Sequence, residues 1–248
     1  MMGIKPPSIE MLNMDCMAYM ATCPDKAFDL AIVDPPYKAN LSGGINPKNG
    51  FKSKSSWDKM KVWDSERPSS DYFKELFRVS RNQIIWGANY FAEHLPPSMG
   101  WVFWYKMQDS FSFSDGELAF TSFDSKTRIF KYARGNDSGF NTGCGFNNIH
   151  PTQKPIALYI WLLKNYAKPG QRIFDSHGGS FSSAIAAYYF GCDFVGCELD
   201  KEYFELAKAR FERETRQTQL FDYENPADQP HQLPGSHGYD AVDCFAGH

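Results

Sequence analysis

The chain has 248 residues, a formal net charge of −3 and a hydrophobic content of 42%, enough to build one large α/β domain, or one domain with appendages, around a substantial core. These totals exclude a globally basic field for nucleic acid, so any such contact must be local. No apolar run reaches membrane-spanning length, and the Met1–Pro7 segment lacks the apolar core of a signal peptide.

Ser8 to Met20 is a short apolar segment interrupted by Asp15. Asp15 is expected at or just after a strand end close to the next strand, or equally as the N-cap of a helix over Cys16–Met20. Phe28 to Tyr37 reads FDLAIVDPPY. Its continuous apolarity predicts a strand buried on both faces, as in a parallel sheet. Pro35 and Pro36 then end the strand, because neither can donate to a ladder. Asp34 is thereby placed at the carboxyl end of a parallel strand, where open α/β sheets bind their ligands.

Lys38 to Lys61 carries six Lys against one Asp, with Phe51 and Trp57 among them and glycines at 43, 44 and 50. A basic, aromatic loop after a ligand-binding strand end suits phosphate contacts and base stacking, with Lys48, Lys52, Lys54 and Trp57 as candidates. A helix is predicted from about Pro68 to Ser80, with Phe73, Leu76, Phe77 and Val79 inward. Strands follow at Asn82–Gly87, Gly100–Tyr105, Glu117–Phe123 and Arg128–Ala133, the second and third forming a hairpin. A polar, Gly-rich loop over about 134–149 leads to His150-Pro151-Thr152-Gln153-Lys154-Pro155.

Next comes a helix over Ile156–Ala167, a strand over Arg172–Ser176, a turn at His177-Gly178-Gly179-Ser180, a helix over Phe181–Phe190 and a strand over Asp193–Glu198. Asp200 caps a last amphipathic helix to about Arg216. Residues 217–248 hold five acids and no Lys or Arg, which predicts a disordered acidic tail. The six Cys show no Cys-x-x-Cys spacing, so reduced thiols in a cytoplasm are expected, with neither a disulfide frame nor a metal site.

The strand–turn–helix–strand unit has the logic of a nucleoside-cofactor site. Glycines let backbone approach a ligand at a helix N-terminus. Glu198 lies 23 residues past Asp175, about where an acid takes ribose hydroxyls in dinucleotide folds. The G-x-G-x-x-G fingerprint is absent, however, and Asp175 in the turn repels pyrophosphate and attracts a cation. This counts against a nicotinamide-dependent oxidoreductase and favours a donor with a positive end, such as S-adenosylmethionine.

Taken together, Asp34-Pro35-Pro36-Tyr37 and this unit resemble the beta-class DNA amino-methyltransferases, in which the tetrapeptide is [DNS]-P-P-[YFW] and precedes the cofactor motif. The resemblance covers roughly Ile9 to Arg216 and implies a Rossmann-like methyltransferase fold, a mostly parallel sheet with helices on both faces and a permuted motif order, in one catalytic domain over 1–216. It implies transfer from S-adenosylmethionine to the exocyclic amine of a base flipped from double-stranded DNA. Asp34 and the Pro35 carbonyl would accept the amine hydrogens, Pro36 would add no competing donor, and Tyr37 would stack on the base. By the same resemblance Thr152, Gln153 and Lys154 hold the methionine carboxylate, Asp175 its ammonium end, Glu198 the ribose and Asp15 the adenine amine.

Where the family has Asp-Pro-Phe-x-Gly-Ser-Gly-Thr, this chain has Asp175-Ser176-His177-Gly178-Gly179-Ser180-Phe181-Ser182. Gly179 and Ser180 persist, Phe181 replaces the second Gly, and His177 reads equally as a cofactor contact or a structural hydrogen bonder. This variant resembles a phage-type subgroup. Asp at the first tetrapeptide position favours adenine; the alternatives are a cytosine amino-methyltransferase and a non-catalytic cofactor- or DNA-binding module. Sequence recognition would come from the loops at about 38–64 and 134–149, in a monomer or homodimer. Gln217-Thr218-Gln219-Leu220-Phe221 resembles peptides that dock on the bacterial sliding clamp, with Gln217, Leu220 and Phe221 as the specified positions.

Overall fold

The computed structural model describes residues 6–37, 67–107, 114–133, 149 and 153–222. Eight strands form one sheet in the order β1-β8-β7-β2-β3-β5-β4-β6. They are β1 (Ile9–Leu12), β2 (Phe28–Val33), β3 (Ser80–Trp86), β4 (Trp101–Tyr105), β5 (Gly116–Thr121), β6 (Arg128–Lys131), β7 (Arg172–Asp175) and β8 (Asp193–Cys197). Every pairing is parallel except the two made by β5, which runs against β3 and β4. The mostly parallel α/β sheet expected from the sequence is therefore present, and β4 and β5 pair as the expected hairpin would.

Helices cover both faces, and the alternation of side chains along the strands sends the core to each side. Leu30 and Ile32 of β2 join Ile84 and Trp86 of β3 beneath α3 (Ile156–Tyr166), α4 (Ser182–Phe190) and α5 (Lys201–Asp222). Ala31, Val33 and Ile85 point the other way, against α1 (Cys16–Thr22) and α2 (Ser70–Val79). Each fully buried Leu, Ile, Val or Phe here contributes about 1.5–3 kcal/mol. Ser69 stands at the N-cap of α2, whose buried face is Tyr72, Phe73, Leu76 and Val79. Phe77 is only half-buried, and Tyr72 takes the inward place instead.

Strand β2 sits in the middle of the sheet, beside β3 on one side and β7 on the other. From β2 the chain builds outward through β3, whereas β7 leads back through β8 to β1. The crevice at the carboxyl ends of β2 and β7 is thus the point where strand order reverses, the usual ligand site of open α/β sheets.

Two expectations need correction. Asp15 follows a strand end, but β1 pairs with β8 at the far edge of the sheet, so β8 and β7 separate it from the Asp34 strand. The last strand returns to pair with the first, a long-range choice that local pattern does not encode. Helix α5 runs to Asp222, so Gln217, Leu220 and Phe221 lie within its backbone span and not beyond the helix end. Lys48, Lys52, Lys54, Trp57, Thr152 and the loops at about 38–64 and 134–148 lie outside the described residues, as does 223–248. Among the described residues no helix is long and apolar enough to cross a membrane.

Candidate active site

On the β2 side, the chain leaves the sheet at Val33 and enters Asp34-Pro35-Pro36-Tyr37, with Pro35 buried. Asp34 Oδ2 accepts a hydrogen bond from the Lys154 ammonium, which arrives from the segment just before α3. The same Nζ lies 3.2 Å from Glu117 Oε2 and 5.4 Å from the centre of the Trp86 ring. Glu117 Oε1 in turn lies 2.6 Å from Lys106 Nζ. The result is a buried row of alternating charge: Asp34, Lys154, Glu117, Lys106.

The electrostatics follow from this row. Burial disfavours the Lys154 ammonium, but Asp34 and Glu117 outweigh it and hold its pKa well above the usual lysine range. Burial also acts against the Glu117 carboxylate, yet Lys154 and Lys106 prevail and lower it to about 2. Burial pushes Asp34 up, opposed by Lys154. Asp34 Oδ1 and Gln153 Oε1 are buried with no hydrogen-bond partner among the described residues. Leaving such an acceptor unpaired costs about 1–3 kcal/mol, which a ligand donor would recover.

Tyr37 stacks on Tyr90 with ring centres 4.7 Å apart and planes 6° off parallel. Gly87, which opens the short turn leading to Tyr90, makes this possible. Its φ is +66°, and a Cβ there would come within 2.6 Å of the Tyr37 ring. Glycine is needed both for the left-handed backbone and for the close approach.

Across the crevice, β7 ends at Asp175, which is buried. Its Oδ2 accepts from the Ser183 hydroxyl at 2.6 Å and its Oδ1 from the His177 N–H at 3.1 Å. Burial dominates these bonds and pushes its pKa up to about 7. Glu198, just past β8, accepts from the N–H groups of Gly179 and Asp200, each at 2.8 Å; burial raises its pKa as well. Among the described residues no side-chain cation touches Asp175 or Glu198.

The variant turn has its own packing logic. Phe181 adopts φ +51°, the left-handed conformation that favours Gly, at a cost of about 1–2 kcal/mol. Its ring is fully buried against Phe194 and Phe204. A Cβ on Gly178 would meet that ring at 2.4 Å, so the ring fills the space under the turn. Ser180 is buried, its carbonyl accepting from Arg210 Nη1 at 2.9 Å. His177 Nδ1 lies 2.8 Å from Ser176 Oγ, which lies 2.7 Å from the Tyr72 hydroxyl. Burial lowers His177 to about 4, so the imidazole is neutral at pH 7. Asp15 caps α1, its Oδ1 accepting from the Ala18 N–H at 2.8 Å.

The described part of the sequence-predicted site therefore gathers at the carboxyl edge of the sheet, with Asp15 at the same edge just past β1, on the side of β8 and Glu198. Residues 84–209, just over half of the chain, match the N6/N4 methyltransferase family model, described as DNA methylase. The chain belongs to the DNA methylase family. Among curated proteins, this methylase is 22% identical to the type II methyltransferase M2.DpnII of Streptococcus pneumoniae over 246 residues, covering 82% of this chain and 90% of that protein. Among solved structures it resembles an M1.HpyAVI–SAM complex at a TM-score of 0.51 and 18% identity, covering 82% of this chain and 98% of the other. It also resembles the cytosine-N4-specific PvuII DNA methyltransferase at a TM-score of 0.53 and 11% identity, over 86% and 94% of the two chains. At these identities the structural likenesses bear on the fold, which is that of the DNA methyltransferases.

Glu117, Lys106, Tyr72 and Tyr90 were not singled out as site residues from the sequence. A signal existed for two of them: an acid opening β5 and a lysine closing β4 fall side by side once the strands pair, with Lys106 N–H donating to the Asp115 carbonyl at 2.7 Å. Tyr72 and Tyr90 lie among many aromatics, with nothing local to mark them.

Proposed function

We propose that this DNA methylase transfers a methyl group from S-adenosylmethionine to the exocyclic amino group of adenine in double-stranded DNA, with the base turned out of the helix. The observation that carries this reading is the pairing across one crevice of an acceptor, Asp34 Oδ1, with two buried acids, the acceptor unpartnered and the acids without a side-chain cation among the described residues. The acceptor suits an amine N–H; the acids suit a ligand with hydroxyls and a positive end. S-adenosylmethionine, when bound, supplies an activated methyl on a sulfonium together with an ammonium and two ribose hydroxyls.

The chain's own residues then divide the work. Asp34 Oδ1 and the Pro35 carbonyl accept the two amine hydrogens, which draws the nitrogen toward tetrahedral geometry and frees its lone pair. Pro36 adds no N–H to compete, and Tyr37 offers a ring face to the base. Asp175 takes the ammonium, Glu198 the ribose hydroxyls, and His177, Gly179 and Ser180 shape the turn around them. Asp15 is assigned to the adenine amine of the donor. Because Lys154 lies on Asp34, we assign the donor carboxylate chiefly to Thr152 and Gln153. Lys48, Lys52, Lys54 and Trp57 are proposed for the DNA backbone and bases.

Incubation with methyl-labelled S-adenosylmethionine and mixed DNA, followed by nucleoside mass spectrometry, tests the reading. Label on the adenine amine supports it; label on the cytosine amine replaces the base assignment; no transfer to any DNA overturns it. We also propose docking on the bacterial sliding clamp through Gln217, Leu220 and Phe221, whose support is the peptide resemblance alone. Capture by immobilised clamp that is lost in the Leu220→Ala, Phe221→Ala double variant is the expected result, and no capture of the intact protein ends the idea.

A further inference from the structure

We propose that Glu117 is a positioning residue for methyl transfer: through Lys154 it decides which oxygen of Asp34 is offered to the target amine. The inference rests on the reading of Asp34 as the amine acceptor and goes beyond it to a residue on β5 that belongs to neither motif.

The argument is geometric. Lys154 Nζ donates to Asp34 Oδ2 and is held by charge 3.2 Å from Glu117 Oε2, an ion pair without a hydrogen bond. Glu117 is fixed from its other side by Lys106 Nζ at 2.6 Å, and Lys106 itself lies 5.2 Å from the Trp104 ring. Lys154 and Glu117 are thus each held between neighbours of opposite sign, and the Lys154 side chain is only 3% exposed. A lysine stem is flexible and its ammonium makes no directional choice by itself. Glu117 removes that freedom: it draws Nζ to one side of Asp34, so Oδ2 is taken and Oδ1 is left without a partner among the described residues. A carboxylate bound by lysine through either oxygen would present two rotational states to the amine. Held through Oδ2 alone, it presents one.

The charged and titratable groups facing Lys154 are Asp34 and Tyr37 beyond β2, Glu117 on β5 and Tyr159 on α3, with the Trp86 ring of β3 below. Lys106 faces Glu117 and, more weakly, Asp34. Neutralising Glu117 removes one of the two carboxylates that keep Lys154 charged. The basic limit of catalysis, set by loss of the Lys154 proton, then moves to lower pH.

The test compares wild type, Glu117→Gln and Glu117→Asp for kcat as a function of pH, with equilibrium binding of S-adenosylmethionine and thermal melting measured alongside. Expected for Glu117→Gln is a fall in kcat of about 100-fold, the scale of a displaced catalytic group. Donor affinity should stay within about twofold, judged against that same positioning scale, and a basic limb should enter the measurable range. Glu117→Asp should recover much of the rate. Should Glu117→Gln not fold, Lys106→Met loosens Glu117 from its outer side: kcat should fall by a smaller factor and the basic limit should move to higher pH, because a cation near Lys154 is gone while the Glu117 carboxylate stays, and an unchanged kcat there overturns the proposal. A kcat close to wild type in Glu117→Gln overturns the proposal, as does a uniform loss that leaves the pH profile where it was. An inactive wild type instead overturns the methyltransfer reading of the site.

Discussion

On the β2 side of the crevice, Asp34 and Glu117 are matched by Lys154 and Lys106; on the β7 side, Asp175 and Glu198 are held, among the described residues, by a hydroxyl and backbone N–H groups. Both pairs of acids are largely buried, yet their titration diverges. Glu117 is lowered to about 2, while Asp175 is raised to about 7. Desolvation opposes the charged form in each case; Lys154 and Lys106 together overcome it at Glu117, whereas at Asp34, paired with Lys154, burial still prevails and the carboxyl is pushed up. The β2 side is therefore electrostatically complete before any ligand arrives and can hold one fixed geometry. The β7 side holds acids that have no counterion among the described residues, so a cationic ligand can complete it. This division fits a site that must orient a neutral amine on one side and bind a charged methyl donor on the other.

The sharpest way to break the comparison is to remove the acceptor. Asp34→Ala should lower methyl transfer by at least about 10²–10³-fold, the range for losing one group that acts on the reacting centre. Donor binding on the β7 side should change little, because Asp175 and Glu198 keep their partners. Radiolabel transfer and calorimetric titration on the same preparation check both halves; parallel loss of binding would mean the two sides are not separable. Next comes Lys154→Met, which leaves Asp34 and Glu117 buried with Lys106 as their remaining cation. Breaking a buried ion pair from one side costs about 3–5 kcal/mol, so denaturant melts should show a large loss at pH 7. The loss should shrink in acid as the stranded carboxylates protonate.

The two sides also differed in how far the sequence revealed them. Asp34 was legible because two prolines after an apolar run leave a strand nowhere to continue, and Asp175 and Glu198 because glycines punctuate the strand–helix–strand unit between them. These are local signals, written within a few residues. Glu117 and Lys106 become a site only when the β4–β5 hairpin, itself legible, packs β5 against β3 and brings Lys154 from the segment before α3 onto Glu117, a tertiary event with no local mark. The same reason explains Asp15, whose strand-end and cap roles were both legible while its place at the β1 edge was not. The extra turns of α5 correct the helix end expected at about Arg216 to Asp222: side-chain polarity alone does not end a helix that lacks a breaker.

Within the β7 side, Phe181 tests whether the altered turn is a weakened version of the family form or a rebuilt one. Phe181→Gly would relieve the left-handed strain of about 1–2 kcal/mol but empty a fully buried aromatic site, which costs about 3–5 kcal/mol. A net loss of about 2 kcal/mol is therefore expected, the difference between those two ranges. A turn that merely tolerated Phe would instead gain stability from Gly. Chemical denaturation of the two proteins distinguishes these outcomes.

The mildest effect is also the most diagnostic, because its sign differs between the two sides. Glu117, with its lowered pKa, stabilises the fold above the ordinary glutamate range, and that contribution is lost as pH falls toward 2. Asp175, raised from 3.8 to about 7, does the reverse: its contribution is full below pH 3.8 and is lost as pH rises through about 7. In the unliganded protein Asp175→Asn should therefore raise the melting temperature more at pH 8 than at pH 5. Donor binding needs the ionised carboxylate, so wild-type affinity should climb about tenfold per pH unit below 7 and level off above it, each tenfold step being about 1.4 kcal/mol. Asp175→Asn should bind weakly with no such slope. A flat wild-type profile between pH 5.5 and 8 would show that the donor's positive end is held elsewhere, and the contrast between the two sides would then lose its functional meaning.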